Sequence, residues 1–222
     1  IKPNMATMLA YVATDAVLEQ PMLQALVNDV VDGSFNRITV DGDTSTNDCA
    51  MLMASGASEV KIAELSVEEQ AKFKSALLDV FVSLAQQIIR DGEGATKFVT
   101  VDVVGGIDSP ECLAVAYAVA ESPLVKTALF ASDPNWGRIL AAIGRAGIPD
   151  LNVDAIQVYL NDVLIAECGG RASSYTEARG QAVMDQEEIN IRIYLNRGNV
   201  DEKIWTTDLS HDYIKINAEY RT

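Results

Sequence analysis

The chain has 222 residues, 49% hydrophobic and 22% charged, with 32 acidic against 17 basic side chains and a net charge of −15. This is enough apolar matter to bury a core, which excludes a disordered chain, and too little clustered Lys and Arg for a general nucleic-acid binder. Three widely spaced cysteines without a CxxC and a single histidine argue against a zinc site, and no apolar run approaches the length of a membrane-spanning helix.

The first residue is Ile1 rather than Met, so an upstream portion or a separate upstream polypeptide is expected. Near the start, Asn4-Met5-Ala6-Thr7-Met8-Leu9-Ala10 places Thr7 between small or flexible residues and an apolar run. By local pattern Thr7 is a strand former. Its sharper reading is a nucleophile freed by cleavage of the Ala6–Thr7 bond. A threonine hydroxyl needs a base beside it, and a freed α-amine with a pKa of about 8 is such a base.

A helix opened by Pro21 and stopped by Gly33 follows, with Met22, Leu23, Leu26, Val27, Val30 and Val31 as its apolar stripe. Arg37 to Val40 reads as a short strand. It runs into the polar octet Asp41 to Asp48, which lacks the glycine and distal glutamate of a calcium loop and reads as a structured loop at the rim of a site. Ser66-Val67-Glu68-Glu69 is a capping box for a helix to about Arg90, with Phe73, Leu77, Val80, Phe81, Leu84, Ile88 and Ile89 as its buried face. Glu93 then sits on a glycine-flanked turn before a strand from Phe98 to Val104.

Ser109-Pro110 and Ser122-Pro123 each open a helix by the cap-then-proline rule. Asp133-Pro134-Asn135-Trp136-Gly137-Arg138 leads into a helix from about Ile139 to Arg145. Its Trp136 and Arg138 suit either packing with a salt bridge or the wall of a carboxylate-binding pocket. A hairpin over Ile156–Leu160 and Val163–Ile165 turns at Asn161-Asp162. A helix over Ser174–Met184, an alternating strand over Ile189–Leu195 and a short strand over Ile204–Thr207 follow. Ser210-His211-Asp212 reads as a helix cap rather than a triad, since sequence neighbours seldom face one substrate. Interleaved helices and hairpins exclude an all-parallel doubly wound sheet. The fold expected is α+β: a layered sandwich of two β-sheets with flanking helices.

Five stretches together resemble the ornithine acetyltransferase family of arginine biosynthesis, also described as bifunctional glutamate N-acetyltransferase and amino-acid acetyltransferase. They are Pro3 to Ala10, Thr39 to Asp48, Arg90 to Lys97, Asp133 to Arg138 and the tail from Asn217 to Thr222. The resemblance implies an N-terminal-nucleophile-like scaffold and a precursor that cuts itself between Ala and Thr. Residues 1–6 would then be a residual upstream (α-chain) tail and 7–222 the β chain, paired with the upstream α chain, commonly as an α2β2 heterotetramer. It also implies that Thr7 is the nucleophile and that Glu93, Asn217 and Thr222 bind substrate.

The reaction implied is acetyl transfer from N-acetylornithine to glutamate through an acetyl-threonine intermediate. No cofactor and no metal are implied, no membrane or nucleic-acid partner, and a cytoplasmic location as in bacterial members. Acetyl-CoA enters as an additional acetyl donor in some members only. With Ile1 to Ala6 attached, the α-amine of Thr7 is tied up in a peptide bond, so the intact polypeptide is expected to be an inactive precursor form. The rival readings are an N-terminal-threonine amidohydrolase or aminopeptidase on the same scaffold, and a non-catalytic interaction subunit.

Overall fold

The computed structural model describes residues 8–44 and 47–219. They fall into two compact units, the first holding residues up to 38 and 42–88, the second 39–41 and 89 onward. Each unit has its own sheet, so the α+β class follows from the interleaving of strands and helices along the chain.

In the first unit β1 (Leu9–Thr14) and β2 (Cys49–Ala54) pair in parallel, with Leu9 opposite Cys49 and Thr14 opposite Ala54. Parallel neighbours need a crossover, and α1 (Gln20–Asp32) lies within it. Pro21 stands in the first turn of α1 and Gly33 caps its end, as the sequence predicts. Gly33 earns its place by packing, because a Cβ there would lie 3.0 Å from a methyl of Leu78. Only Leu26 and Val30 of the predicted α1 stripe are fully buried.

The capping box at the head of α2 (Val67–Arg90) is formed in both directions. Glu69 N donates to Ser66 Oγ at 3.3 Å, and Ser66 N donates to Glu69 Oε2 at 3.0 Å. The Ser66 hydroxyl, donating to Glu69 Oε2 at 2.7 Å, and then the Ser66 N–H hold the Glu69 carboxyl below its ordinary pKa. The buried face of α2 is narrower than predicted: Leu77, Phe81, Ala85 and Ile89 form a single i, i+4 line, while Val80 is exposed. Phe81 meets the Phe35 ring edge-on at 5.7 Å. The predicted strand at Arg37–Val40 is not formed. Phe35–Arg37 make a 3-10 turn, Ile38 is a single bridge residue and Thr39 N donates to Trp205 O at 3.0 Å.

The second unit is built on a six-stranded mixed sheet in the order β6-β5-β4-β7-β3-β8. The strands are β3 (Phe98–Gly106), β4 (Gln157–Leu160), β5 (Val163–Glu167), β6 (Gly170–Arg171), β7 (Glu188–Tyr194) and β8 (Val200–Thr207). Only β3 and β7 are parallel; the predicted hairpin is β4–β5, turning at Asn161 with φ 49°. Alternation puts Val99, Val101 and Val103 with Ile189, Ile191 and Ile193 on one buried face. Helices α3 (Ser109–Ala120) and α5 (Trp136–Gly144) supply Cys112, Val115, Val119, Ile139 and Ile143 to the same core. The other face carries cross-strand polar pairs such as Arg192 Nε to Asp102 Oδ2 at 3.0 Å, so it is only half-buried.

Three boundaries move from their predicted places. Asp108, not Ser109, caps α3, its carboxylate accepting from Glu111 N at 2.9 Å. Helix α5 starts at Trp136 because Asn135 Oδ1 accepts from Arg138 N at 3.1 Å. Helix α6 (Glu177–Met184) starts three residues later than expected. Helix α4 (Pro123–Phe130) is capped by Ser122 as predicted. Ser210 Oγ caps α7 (His211–Glu219) by accepting from Tyr213 N at 3.1 Å, and His211 packs edge-on against Phe130. The Ser-His-Asp letters are therefore a helix start. Among the described residues no single helix is long and apolar enough to cross a membrane.

Candidate functional site

The expected nucleophile Thr7 and the terminal Thr222 lie outside the described residues. Next to Thr7, the backbone of Met8 is fixed on both sides. Its N–H donates to Asp48 Oδ1, and its carbonyl accepts from Cys49 N at 2.8 Å. Met8 is buried and borders a cavity of about 660 Å³ within the first unit, lined also by Asp29, Asp32, Phe35, Asp48 and Lys74. Lys74 Nζ is paired with Asp29 Oδ2 at 2.5 Å across this cavity.

In the second unit the two other expected substrate residues meet. Asn217 Nδ2 donates to Glu93 Oε2 at 2.9 Å and to Tyr213 O at 3.0 Å. Two acceptors are thus met by the Asn217 amide nitrogen, and its side-chain oxygen is of the acceptor type. Glu93 and Asn217 are both exposed. A carboxylate held by an amide donor, with one oxygen still available, can fix a cationic group at short range.

The turn bearing Glu93 has its shape for local reasons. Helix α2 ends at Arg90, whose guanidinium stacks on the Phe98 ring at 3.8 Å and pairs with Glu188 at 2.8 Å. Gly94 takes φ +67°, a conformation that L side chains avoid. A Cβ on Gly94 would also lie 2.6 Å from Tyr213 N and from Ser210 Oγ, so the turn and the head of α7 are in direct contact.

Asp208 holds the rest of the turn. It is 3% exposed, and its Oδ1 accepts from Thr96 N at 2.8 Å and Lys97 N at 3.0 Å while Oδ2 accepts from Thr96 Oγ1 at 2.6 Å. The Thr207 hydroxyl lies 2.9 Å from Oδ1 and 2.7 Å from Lys97 O. Lys126 is 2% exposed; its ammonium donates to Thr206 Oγ1 at 3.1 Å and to Thr207 O. Burial pushes the Lys126 pKa down to about 8 against the pull of Asp208, Asp41 and Glu121. Tyr213 is pinned in turn, its hydroxyl donating to Asp41 Oδ2 at 2.6 Å, so the first acid of the polar octet contacts the helix that carries Asn217.

Asp133 to Arg138 serve the fold instead. Arg138 Nη1 donates to Leu124 O at 2.8 Å and Thr127 Oγ1 at 3.3 Å, tying α5 to α4, and Trp136 packs against the core. The cavity beside Asp133 and Asn135 is about 10 Å³, too small for a ligand. Among the described residues no group of three or more metal-ligating side chains converges. Sequence reasoning missed Asp208 and Lys126, because side chains whose partners lie 80 to 112 residues away leave no periodic signal.

The sequence profile of the ArgJ family matches residues 1–222. Two curated relatives, both called arginine biosynthesis bifunctional protein ArgJ, come from Pseudomonas fluorescens (strain Pf0-1) and Pseudomonas syringae pv. tomato (strain ATCC BAA-871 / DC3000). They are 63% and 62% identical over 223 residues. Each match takes in 100% of this chain and 55% of the relative, so the chain spans about half the length of the curated relatives it matches. A crystal structure of the arginine biosynthesis bifunctional protein argJ from Bacillus halodurans superposes with a TM-score of 0.89 at 40% identity. That match covers 96% of this chain and 100% of the solved one.

Proposed function

The chain belongs to the ArgJ family, and from that premise we propose that it is the acyl-carrying β chain of an arginine-biosynthesis acetyltransferase. Thr7 Oγ attacks the acetyl carbonyl of N2-acetylornithine. The amide C–N bond breaks, the hydroxyl proton passes through the Thr7 α-amine to the leaving nitrogen, and ornithine departs from an acetyl-threonine ester. The α-amine of glutamate then attacks the ester, the C–O bond breaks and the proton returns to Thr7 Oγ. The two half-reactions share one pocket and run in ping-pong order. Oxyanion donors come from the upstream chain, each worth about 3 kcal/mol in such sites.

Glu93 takes the side-chain ammonium of ornithine, and Asn217 with Thr222 takes the amino-acid carboxylate and backbone. The observation that carries this reading is the 2.9 Å bond from Asn217 to Glu93, which joins two residues 124 positions apart that the family resemblance had already singled out.

Self-cleavage between Ala6 and Thr7 frees the α-amine and leaves residues 7–222 as a separate chain. In support, the solved Bacillus halodurans chain is matched over its whole length while the longer curated relatives are matched over 55%. The partner is the upstream α chain, in an α2β2 assembly. Parallel sheets are ordinarily covered on both faces, yet Leu9, Tyr11, Met51 and Met53 stand exposed on one face of β1–β2, as the register of Tyr11 with Met51 requires. An apolar polypeptide surface is the natural cover for it. The location is cytoplasmic, in keeping with three free cysteines.

The test is to incubate the mature enzyme with N-acetylornithine with and without glutamate. Transfer predicts ornithine release at steady rate only when glutamate is present. Release that ignores glutamate, or proceeds to free acetate, would reject transfer in favour of hydrolysis. Replacing N-acetylornithine by acetyl-CoA tests the additional donor.

A further inference from the structure

We propose that Asp208 is a positioning residue for donor recognition: it sets the Glu93 turn against α7 so that Glu93 and Asn217 meet. The proposal rests on the reading of Glu93 as the partner of the ornithine ammonium, and it assigns a function to a residue that touches no substrate itself.

The geometry is one of double attachment. Asp208 follows the last residue of β8 and, with Leu209 and Ser210, forms the short link to the start of α7. Its side chain reaches the other way, to the backbone N–H groups of Thr96 and Lys97 and the Thr96 hydroxyl. One residue thus fixes both the turn that carries Glu93 and the helix that carries Asn217. Lys126 holds Asp208 from both sides along the chain: its ammonium reaches the carbonyl of Thr207, and its own carbonyl accepts from Leu209 N at 3.2 Å. A carboxylate at 3% exposure costs desolvation, which is offset only when its acceptor sites are filled, as they are here. An apolar residue of similar size would leave the N–H groups of Thr96 and Lys97 without this acceptor. The charge suits a task in which two segments must be aimed at each other within a fraction of an ångström.

The full-length coding sequence is expressed, so that the enzyme forms with its partner chain, in four versions besides wild type: Asp208→Ala, Asp208→Asn, Thr96→Val and Glu93→Gln. Michaelis constants are measured separately for N-acetylornithine and glutamate. Asp208→Ala is expected to raise the donor KM about tenfold or more and the acceptor KM by clearly less, since glutamate shares the Asn217 contact but has no side-chain ammonium for Glu93 to recognise. Asp208→Asn keeps the acceptor oxygen for the two N–H groups and is expected to restore most of the loss. Thr96→Val removes one hydroxyl from an exposed position and is expected to raise the donor KM about threefold.

Equal rises in both KM values, or an unchanged donor KM in folded Asp208→Ala, overturn the proposal. Should Asp208→Ala fail to fold, an unchanged donor KM in Thr96→Val overturns it. Glu93→Gln separates the two levels of argument. If it leaves the donor KM unchanged, the reading of Glu93 is wrong; if it raises that KM while the Asp208 and Thr96 variants do not, only the positioning proposal falls.

Discussion

Gly94→Ala is the sharpest single perturbation of the site. The methyl group brings two penalties. A non-glycine residue at φ +67° is strained by about 1 kcal/mol. In addition, the new Cβ would stand 2.6 Å from Tyr213 N, about 0.8 Å short of ordinary contact. Tyr213 N is main chain within α7, so no side-chain rotation relieves the clash; the helix head or the turn has to shift by most of that distance. The bond from Asn217 to Glu93 starts at 2.9 Å, and such bonds fade beyond about 3.5 Å, so the shift breaks it. Displacements of this size in a substrate-positioning element cost about ten- to a hundredfold in kcat/KM. The variant is therefore expected to be folded, slightly less heat-stable, and impaired in N-acetylornithine use by about that factor. Steady-state kinetics alongside a melting curve check it. Wild-type kcat/KM in a folded Gly94→Ala enzyme would refute the idea that the turn and α7 form one recognition unit.

Two further predictions concern stability. Lys126 has a folded pKa of about 8 against an ordinary 10.5, so between these values the unfolded chain holds the proton and the folded chain does not. The group's contribution is least favourable below pH 8 and grows by about 3 kcal/mol as pH rises to 10.5. Lys126→Met abolishes this dependence; urea titrations at several pH values, followed by Trp136 and Trp205 fluorescence, are expected to diverge between wild type and variant, and parallel curves would contradict the reasoning. Ser66→Ala removes the cap of α2, costing about 1 kcal/mol and lowering the melting temperature by about 3 °C. An unchanged melting curve would mean that the capping box adds nothing beyond water.

The parts of this fold that sequence exposes are those decided by neighbours. Ser66 with Glu69, Ser122 before Pro123, and Ser210 before α7 each declare a helix start because the cap bonds lie within three residues. The alternation of Ile189, Ile191 and Ile193 declares β7, since the sheet face has the same period of two. Arg37–Val40 misleads because β-prone letters need a partner strand to form a ladder, and only Ile38 makes a bridge there. Val80 misleads because only the line Leu77, Phe81, Ala85 and Ile89 of α2 is buried and Val80 lies off it.

The site divides along the same line. Glu93 and Asn217 were found through family resemblance, and their bond joins segments that no local rule could connect. Asp208 was invisible: one acid at the end of a strand has no pattern, and its partners Thr96 and Lys97 are 112 and 111 residues away. Thr7, the residue with the largest proposed role, lies just before the described start of the first unit, beside the fixed backbone of Met8.

The most direct test of the account is chemical. Mature enzyme is mixed with acetyl-labelled N-acetylornithine in the absence of glutamate, quenched in acid, digested and analysed by mass spectrometry. The account predicts one labelled acetyl ester on the peptide that begins at Thr7, discharged when glutamate is added. A label-free Thr7 peptide under conditions where ornithine is released would contradict it.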